Sequence, residues 1–194
     1  MPHWIALRAY APCHDSVMTV GFAGIGIMGL PMATRLLDAS VELAVWSRRA
    51  EACAPLVERG ALLAADPDAL FAACDTVVLM LRDELATDAV LGRGTPAFAR
   101  RVAGRRVIVS GTNSPAYSEA LAAEIHAAGG SYVEAPVSGS RVPAERGELV
   151  VMLAGRTPTR STRRRHCSPR SGRRSCGAVR CPGRCAPRSR STTT

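Results

Sequence analysis

Glycines 24, 26 and 29 close the stretch Val-Met-Thr-Val-Gly-Phe-Ala-Gly-Ile-Gly-Ile-Met-Gly over residues 17–29, where an apolar strand runs directly into Gly-x-Gly-x-x-Gly. That spacing suits phosphate chemistry. Gly24 permits a tight turn, Gly26 lets backbone N–H groups approach a pyrophosphate, and Gly29 lets the next helix pack closely on the strand. The helix N-terminus then turns its partial positive charge toward the anion. Gly-rich turns also occur for purely structural reasons. Here an amphipathic pattern over Leu30–Ala39 and a second apolar run at Val41–Trp46 supply the context a dinucleotide fingerprint needs.

The second run ends in Ser47-Arg48-Arg49, with no carboxylate close behind it. An acidic residue there would bond the ribose 2′-hydroxyl of NAD, whereas an arginine pairs with the 2′-phosphate of NADP. The guanidinium fork of Arg48 matches a phosphate, and Ser47 adds a hydroxyl donor. Arg48 and Arg49 also read as solvated residues at a helix start, where cations are mildly disfavoured. NADP is therefore the expected cofactor, ahead of NAD.

The elements that must position these groups alternate along the chain. A helix is expected over Arg49–Arg59 with Gly60 as its stop, and a brief strand at Ala61–Leu63. Asp66 and Pro67 open a short helix as N-cap and first helical residue. Thr76–Leu81 is a near-continuous apolar run, as buried parallel strands show. Helical patterns follow over Asp83–Leu91 and Pro96–Val102, a strand at Arg106–Val109, and a helix from Ser114-Pro115 to Gly129-Gly130. Ser131–Ala135 and Glu148–Leu153 read as further strands. This order predicts an α/β fold, a Rossmann-type doubly wound parallel sheet.

Charge divides the 194-residue chain. Residues 1–155 carry 13 Arg and all 16 acidic residues, whereas residues 156–194 carry 12 Arg, no acid and one branched aliphatic residue, Val179. Such a tail cannot bury enough apolar surface to offset its ordering entropy, so a disordered basic tail is expected over 156–194. A disordered N-terminal extension is expected over 1–17, and the nucleotide domain over 18–155. No apolar run reaches the length of a membrane span, and no secretory signal is legible at the N-terminus. Cys13, Cys53 and Cys74 read as reduced residues of a cytoplasmic protein. Cys167, Cys176, Cys181 and Cys185 are separated by 8, 4 and 3 residues, which fits no paired zinc knuckle, so no metal is expected.

Three stretches together resemble the β-hydroxyacid dehydrogenase family, relatives of 6-phosphogluconate dehydrogenase. Gly24-Ile25-Gly26-Ile27-Met28-Gly29 is similar to the family's Gly-Leu-Gly-x-Met-Gly, and Val45-Trp46-Ser47-Arg48 to its Val-x-Asn-Arg. Glu134-Ala135-Pro136-Val137-Ser138-Gly139-Ser140 resembles its Asp-Ala-Pro-Val-Ser-Gly-Gly substrate motif. The continuation through Val142-Pro143 to Leu149 looks most like the glyoxylate and succinic-semialdehyde reductases. The resemblance implies that Ser138, Gly139 and Ser140 hold a substrate carboxylate, and that Met80, Leu81 and Thr112 line the nicotinamide side. Arg82 stands where the family has proline, and Val109-Ser110-Gly111-Thr112 replaces Asp-x-Ser-Thr. Homo-oligomers are the family's habit, through a C-terminal domain.

The family's general acid is a lysine on the first long helix of that domain, and this chain contains no lysine. Arginine does not release its proton near neutral pH. Composition and position suggest that the tail is out-of-frame translation of GC-rich coding sequence after about Gly155. Three readings stay open: an NADP(H)-dependent reductase of a small aldehyde or keto acid, a catalytically inactive NADP-binding fragment, and a nucleic-acid arm formed by the tail. The last lacks lysine, stacking aromatics and a folded reader.

Overall fold

Val20–Ala23 (β1) lies between two parallel partners, Leu43–Trp46 (β2) and Thr76–Leu79 (β4), with Val20 in register with both Leu43 and Thr76. The computed structural model describes residues 19–153; the extension expected over 1–17 and the tail expected over 156–194 lie outside the described residues. Leu62–Leu63 (β3), Arg106–Val109 (β5) and Ser131–Glu134 (β6) complete a six-stranded parallel sheet in the order β3-β2-β1-β4-β5-β6. The doubly wound sheet is as expected. Strand order reverses between β1 and β4, which opens a crevice at their carboxyl ends.

Alternation along the strands builds a core on each face. Ala23, Ala44, Val77, Leu79, Val107 and Val109 point to one side, where Leu70, Phe71, Leu91, Leu121 and Ile125 cover them. Phe22, Leu43 and Val45 point to the other and meet Ala33, Cys53 and Leu56. Both faces are therefore apolar, which is why the strands read as continuous runs.

Helices start where the local chemistry predicts. Gly29–Asp38 (α1) follows the glycine turn. Pro67–Ala73 (α3) is capped by Asp66, whose Oδ1 accepts from the Ala69 N–H at 2.7 Å. Glu84–Leu91 (α4) is capped by Asp83 and ends at Gly92 in the left-handed region. Ala97–Val102 (α5) leads into β5, and Pro115–Ala127 (α6) starts at Ser114.

Two expectations need correction, and one helix was not expected. The helix expected over Arg49–Arg59 is a 3-10 turn, Ala50–Cys53, followed by one helical turn, Ala54–Val57 (α2). Pro55 has no N–H to bond back to the preceding turn, and the Arg59 and Gly60 N–H groups close tight bonds three residues back. The strand expected over Glu148–Leu153 shrinks to Val150–Val151 (β8). It pairs antiparallel with Val137–Ser138 (β7), apart from the main sheet. Between them lies an unanticipated helix, Arg141–Arg146 (α7), closed by Gly147 at φ 73°.

Candidate functional site

The sequence-predicted residues all follow the carboxyl end of a strand: 24–29 after β1, 47–48 after β2, 80–81 after β4, 112 after β5 and 138–140 beyond β6. The parallel sheet thus gathers side chains over a hundred residues apart onto one edge, astride the β1/β4 crevice.

Each glycine of the turn has a separate reason to lack a side chain. Gly24 has φ 99°, and a Cβ there would run into the Met80 carbonyl oxygen and come within 2.9 Å of Leu81 Cδ2. A Cβ on Gly29 would collide with the Gly24 carbonyl and approach Phe22 at 3.3 Å. At Gly26 a Cβ would meet nothing within 4 Å. Internal packing therefore explains Gly24 and Gly29 but not Gly26, whose bare backbone faces open space. The Gly26 N–H bonds the Gly24 carbonyl at 3.1 Å, and the Leu30 N–H bonds the Gly26 carbonyl at 3.0 Å. Among the described residues the N–H groups of Ile27, Met28 and Gly29 make no such backbone bond. A turn with free N–H groups at a helix start and an open face fits a pyrophosphate.

Met80 and Leu81 close this turn from the β4 side. The Met80 N–H donates to the Ala23 carbonyl at 2.9 Å, so the loops after β1 and β4 are laced together. The β5 loop comes as close: a Cβ on Gly111 would stand 2.8 Å from the Leu81 carbonyl oxygen. Glycine in place of the family's serine is what this approach requires, and it carries exposed Thr112 to the same edge.

Arg48 and half-buried Ser47 stand on the β2 side of the crevice. Among the described residues Arg48 forms no salt bridge with a carboxylate. Arg82, on the β4 side, binds Asp83 through Nε at 2.8 Å. Asp83 also accepts from the Ala86 N–H at 2.8 Å. That backbone bond, then the Arg82 bond and the charges of Arg82 and Arg48, hold its carboxyl below the usual carboxylate range.

Exposed Ser138, Gly139 and Ser140 occupy the turn from β7 into α7. Gly139 has φ 139°, and a Cβ there would press on Leu149 Cδ2 at 2.6 Å. Ser140 is the N-cap of α7 but uses only its carbonyl, leaving the hydroxyl without a capping bond. Arg141, the next residue, lines a groove of about 580 Å³ together with Gly26, Ile27, Arg49 and Glu145. The groove lies on the α1/α7 side; Met80, Leu81 and Thr112 do not line it. From the segment after β7 only Arg141 and Glu145 reach the groove, while Ser138, Gly139 and Ser140 do not line it.

Two braces escaped sequence reasoning. Glu84 accepts from the Ser114 N–H at 2.9 Å and hydroxyl at 2.7 Å, fastening the α6 N-terminus to α4. These bonds hold the Glu84 carboxyl below its ordinary range. Glu134 accepts from the buried Ser118 hydroxyl at 2.8 Å, anchoring the start of the Ala-Pro-Val-Ser-Gly segment to α6. Neither pairing has a local signal, because the partners are 30 and 16 residues apart. Among the described residues no group of metal-ligating side chains could hold an ion. His126, in the last turn of α6, sits at the far end of the sheet from the crevice.

Comparison with known proteins identifies this architecture. Residues 19–165 match the family described as the NAD binding domain of 6-phosphogluconate dehydrogenase. The chain is 38% identical over 142 residues to glyoxylate/succinic semialdehyde reductase 2, chloroplastic, of Arabidopsis thaliana, covering 73% of this chain and 39% of that protein. It is 36% identical to glyoxylate/succinic semialdehyde reductase 1 of the same plant, over 71% of this chain and 48% of that one. The chain thus spans half or less of these relatives. The fold superposes on a reductive aminase from Aspergillus terreus in complex with NADPH and ethyl-5-oxohexanoate. The TM-score is 0.60 and the identity 30%, over 66% of this chain and 43% of that one. With the family matched across the whole sheet and its crevice, the chain belongs to the β-hydroxyacid dehydrogenases, through their 6-phosphogluconate-dehydrogenase-type NAD binding domain.

Proposed function

We propose that this chain is the NADP(H)-binding part of a reductase for a small aldehyde or keto acid that carries a carboxylate. The observation that carries the reading is Gly26, bare toward open space at the mouth of the β1/β4 crevice while its neighbours Gly24 and Gly29 are internally required. The N–H groups of Ile27, Met28 and Gly29 would hold the pyrophosphate, with Ile25 buried beneath the turn as its floor. Arg48 and Ser47 would select the 2′-phosphate. Met80, Leu81 and Thr112 would border the nicotinamide, and Ser138, Gly139 and Ser140 would hold the substrate carboxylate. Bound NADPH supplies a hydride. Protonating the substrate oxygen needs a donor within hydrogen-bond reach, and this chain holds no lysine to serve as one.

The 194-residue chain therefore binds cofactor without turning over, and the complete reaction belongs to a protein that also carries the acid. A cytoplasmic location accords with the free, buried Cys53 and Cys74. Titration with NADPH followed by nicotinamide fluorescence, then assay of NADPH oxidation with glyoxylate and succinic semialdehyde, tests both halves. Saturable binding with no oxidation is the expected result. Absence of binding overturns the cofactor assignment, and steady turnover overturns the assignment of the missing acid.

A further inference from the structure

The geometry points to Arg82 as a second guanidinium for the cofactor's ribose 2′-phosphate, set across the crevice from Arg48. This rests on the NADP(H) reading above. Strand order is the first support: β2, β1 and β4 are neighbours, so the loops bearing Arg48 and Arg82 flank the glycine turn that follows β1.

The second support is how Arg82 is held. Its Nε is fixed on Asp83 Oδ2 at 2.8 Å, while its side chain is 87% exposed. Asp83 is itself anchored, because its other oxygen caps α4 at the Ala86 N–H. One edge of the guanidinium is therefore tethered, and the Nη groups are left as donors toward solvent. The charge of Arg48, on the β2 loop, is the smallest of the causes that hold the Asp83 carboxyl below its ordinary range.

The division of labour follows from charge. Backbone N–H groups at the start of α1 serve the pyrophosphate, which needs close approach more than full charge. A terminal phosphomonoester is dianionic near neutral pH and is best matched by more than one guanidinium fork. An arginine that Asp83 merely keeps in solvent would make no difference to any nucleotide.

The experiment measures NADPH, NADH and 2′,5′-ADP affinities of the 194-residue chain by calorimetry, for the unaltered protein and for Arg48→Ala, Arg82→Ala and Arg82→Lys. Arg82→Ala should weaken NADPH and 2′,5′-ADP about tenfold, the scale of one charge-assisted hydrogen bond, and leave NADH within twofold. Arg82→Lys should fall between, keeping charge but losing the fork. Unchanged NADPH affinity in Arg82→Ala, or an equal loss for NADH, overturns the inference. If Arg48→Ala erases the preference for NADPH while Arg82→Ala does not, only this inference fails. If the unaltered chain shows no preference for NADPH, the underlying NADP(H) reading fails with it.

Discussion

Replacing each fingerprint glycine by alanine separates packing from ligand approach, because the three positions meet different surroundings. At Gly26 an added methyl meets nothing within 4 Å, and the backbone is not in the left-handed region. Alanine there should leave the fold intact, or stabilise it slightly by restricting the unfolded chain, by about 0.4–1 kcal/mol. The same methyl stands where a pyrophosphate must approach the Ile27 and Met28 N–H groups. Losing even one or two such charge-assisted bonds, at about 1.5–3 kcal/mol each, weakens NADPH by roughly tenfold to about ten-thousandfold. At Gly29 the methyl collides with the Gly24 carbonyl, and at Gly24 it collides with Met80 and must also adopt φ 99°. Overpacking costs about 1–3 kcal/mol, and the left-handed backbone adds about 1–2 kcal/mol at Gly24. For a domain of this size each kcal/mol lowers the melting temperature by about 3–5 °C. Thermal melts and NADPH fluorescence titrations on the three variants give the answer. Gly26→Ala should keep its melting temperature and lose NADPH, whereas Gly24→Ala should be the least stable. A Gly26→Ala variant that binds NADPH as tightly as the parent would refute the cradle.

Arg48→Ala should cost about 1.5–3 kcal/mol of NADPH affinity, roughly ten- to a hundredfold, with NADH little changed; an unchanged ratio removes Arg48 from cofactor selection. Asp66→Ala removes the cap on α3 and should destabilise by about 1 kcal/mol in urea unfolding, with Asp66→Asn close to the parent. Acid should unfold the domain through its bonded carboxylates. Asp83 and Glu84 titrate lower folded than unfolded, so their stabilisation is present above about pH 4.5 and is lost as pH falls through the folded values. Glu84→Gln should flatten that acid limb in pH-dependent melts. Burial pushes the Cys74 thiol up to about 11 and raises that of Cys53. Neither should react with a thiol reagent at pH 8 before unfolding, and rapid labelling of the native protein would contradict their placement.

What the sequence disclosed about this domain was whatever residues signal locally. Asp66-Pro67, Asp83 and Ser114-Pro115 cap helices within three residues of themselves, so their boundaries were legible. The four-residue strands were legible because both faces of the sheet are apolar. The β2–β3 connection misled because its apolar residues recur at helical spacing while Pro55 interrupts the bonding. Helix α7 was hidden for the opposite reason. Only Ala144 is buried within it, and Pro143, which reads as a breaker, sits in the first turn where no N–H is needed. Its place comes from α1: the Arg35 guanidinium lies 3.1 Å from where a Cβ on Gly147 would be. A side chain there would press on the end of that flexible arginine and would also have to adopt φ 73°.

The same division runs through the site. The glycine turn and the Ser47-Arg48 doublet are short words with their own chemistry, recognisable before any fold is known. Arg82 and Gly111 were visible only as departures from a family pattern. Their sense depends on strand order, which lays the loops after β4 and β5 against each other and puts the loops bearing Arg48 and Arg82 on either side of the glycine turn. Gly111 is explained by the Leu81 carbonyl thirty residues earlier, and Arg82 is oriented by an aspartate whose other oxygen caps a helix. A parallel sheet makes such dependence unavoidable. Each strand delivers its loop to the same edge, so the crevice is built from segments that never neighbour one another in the chain.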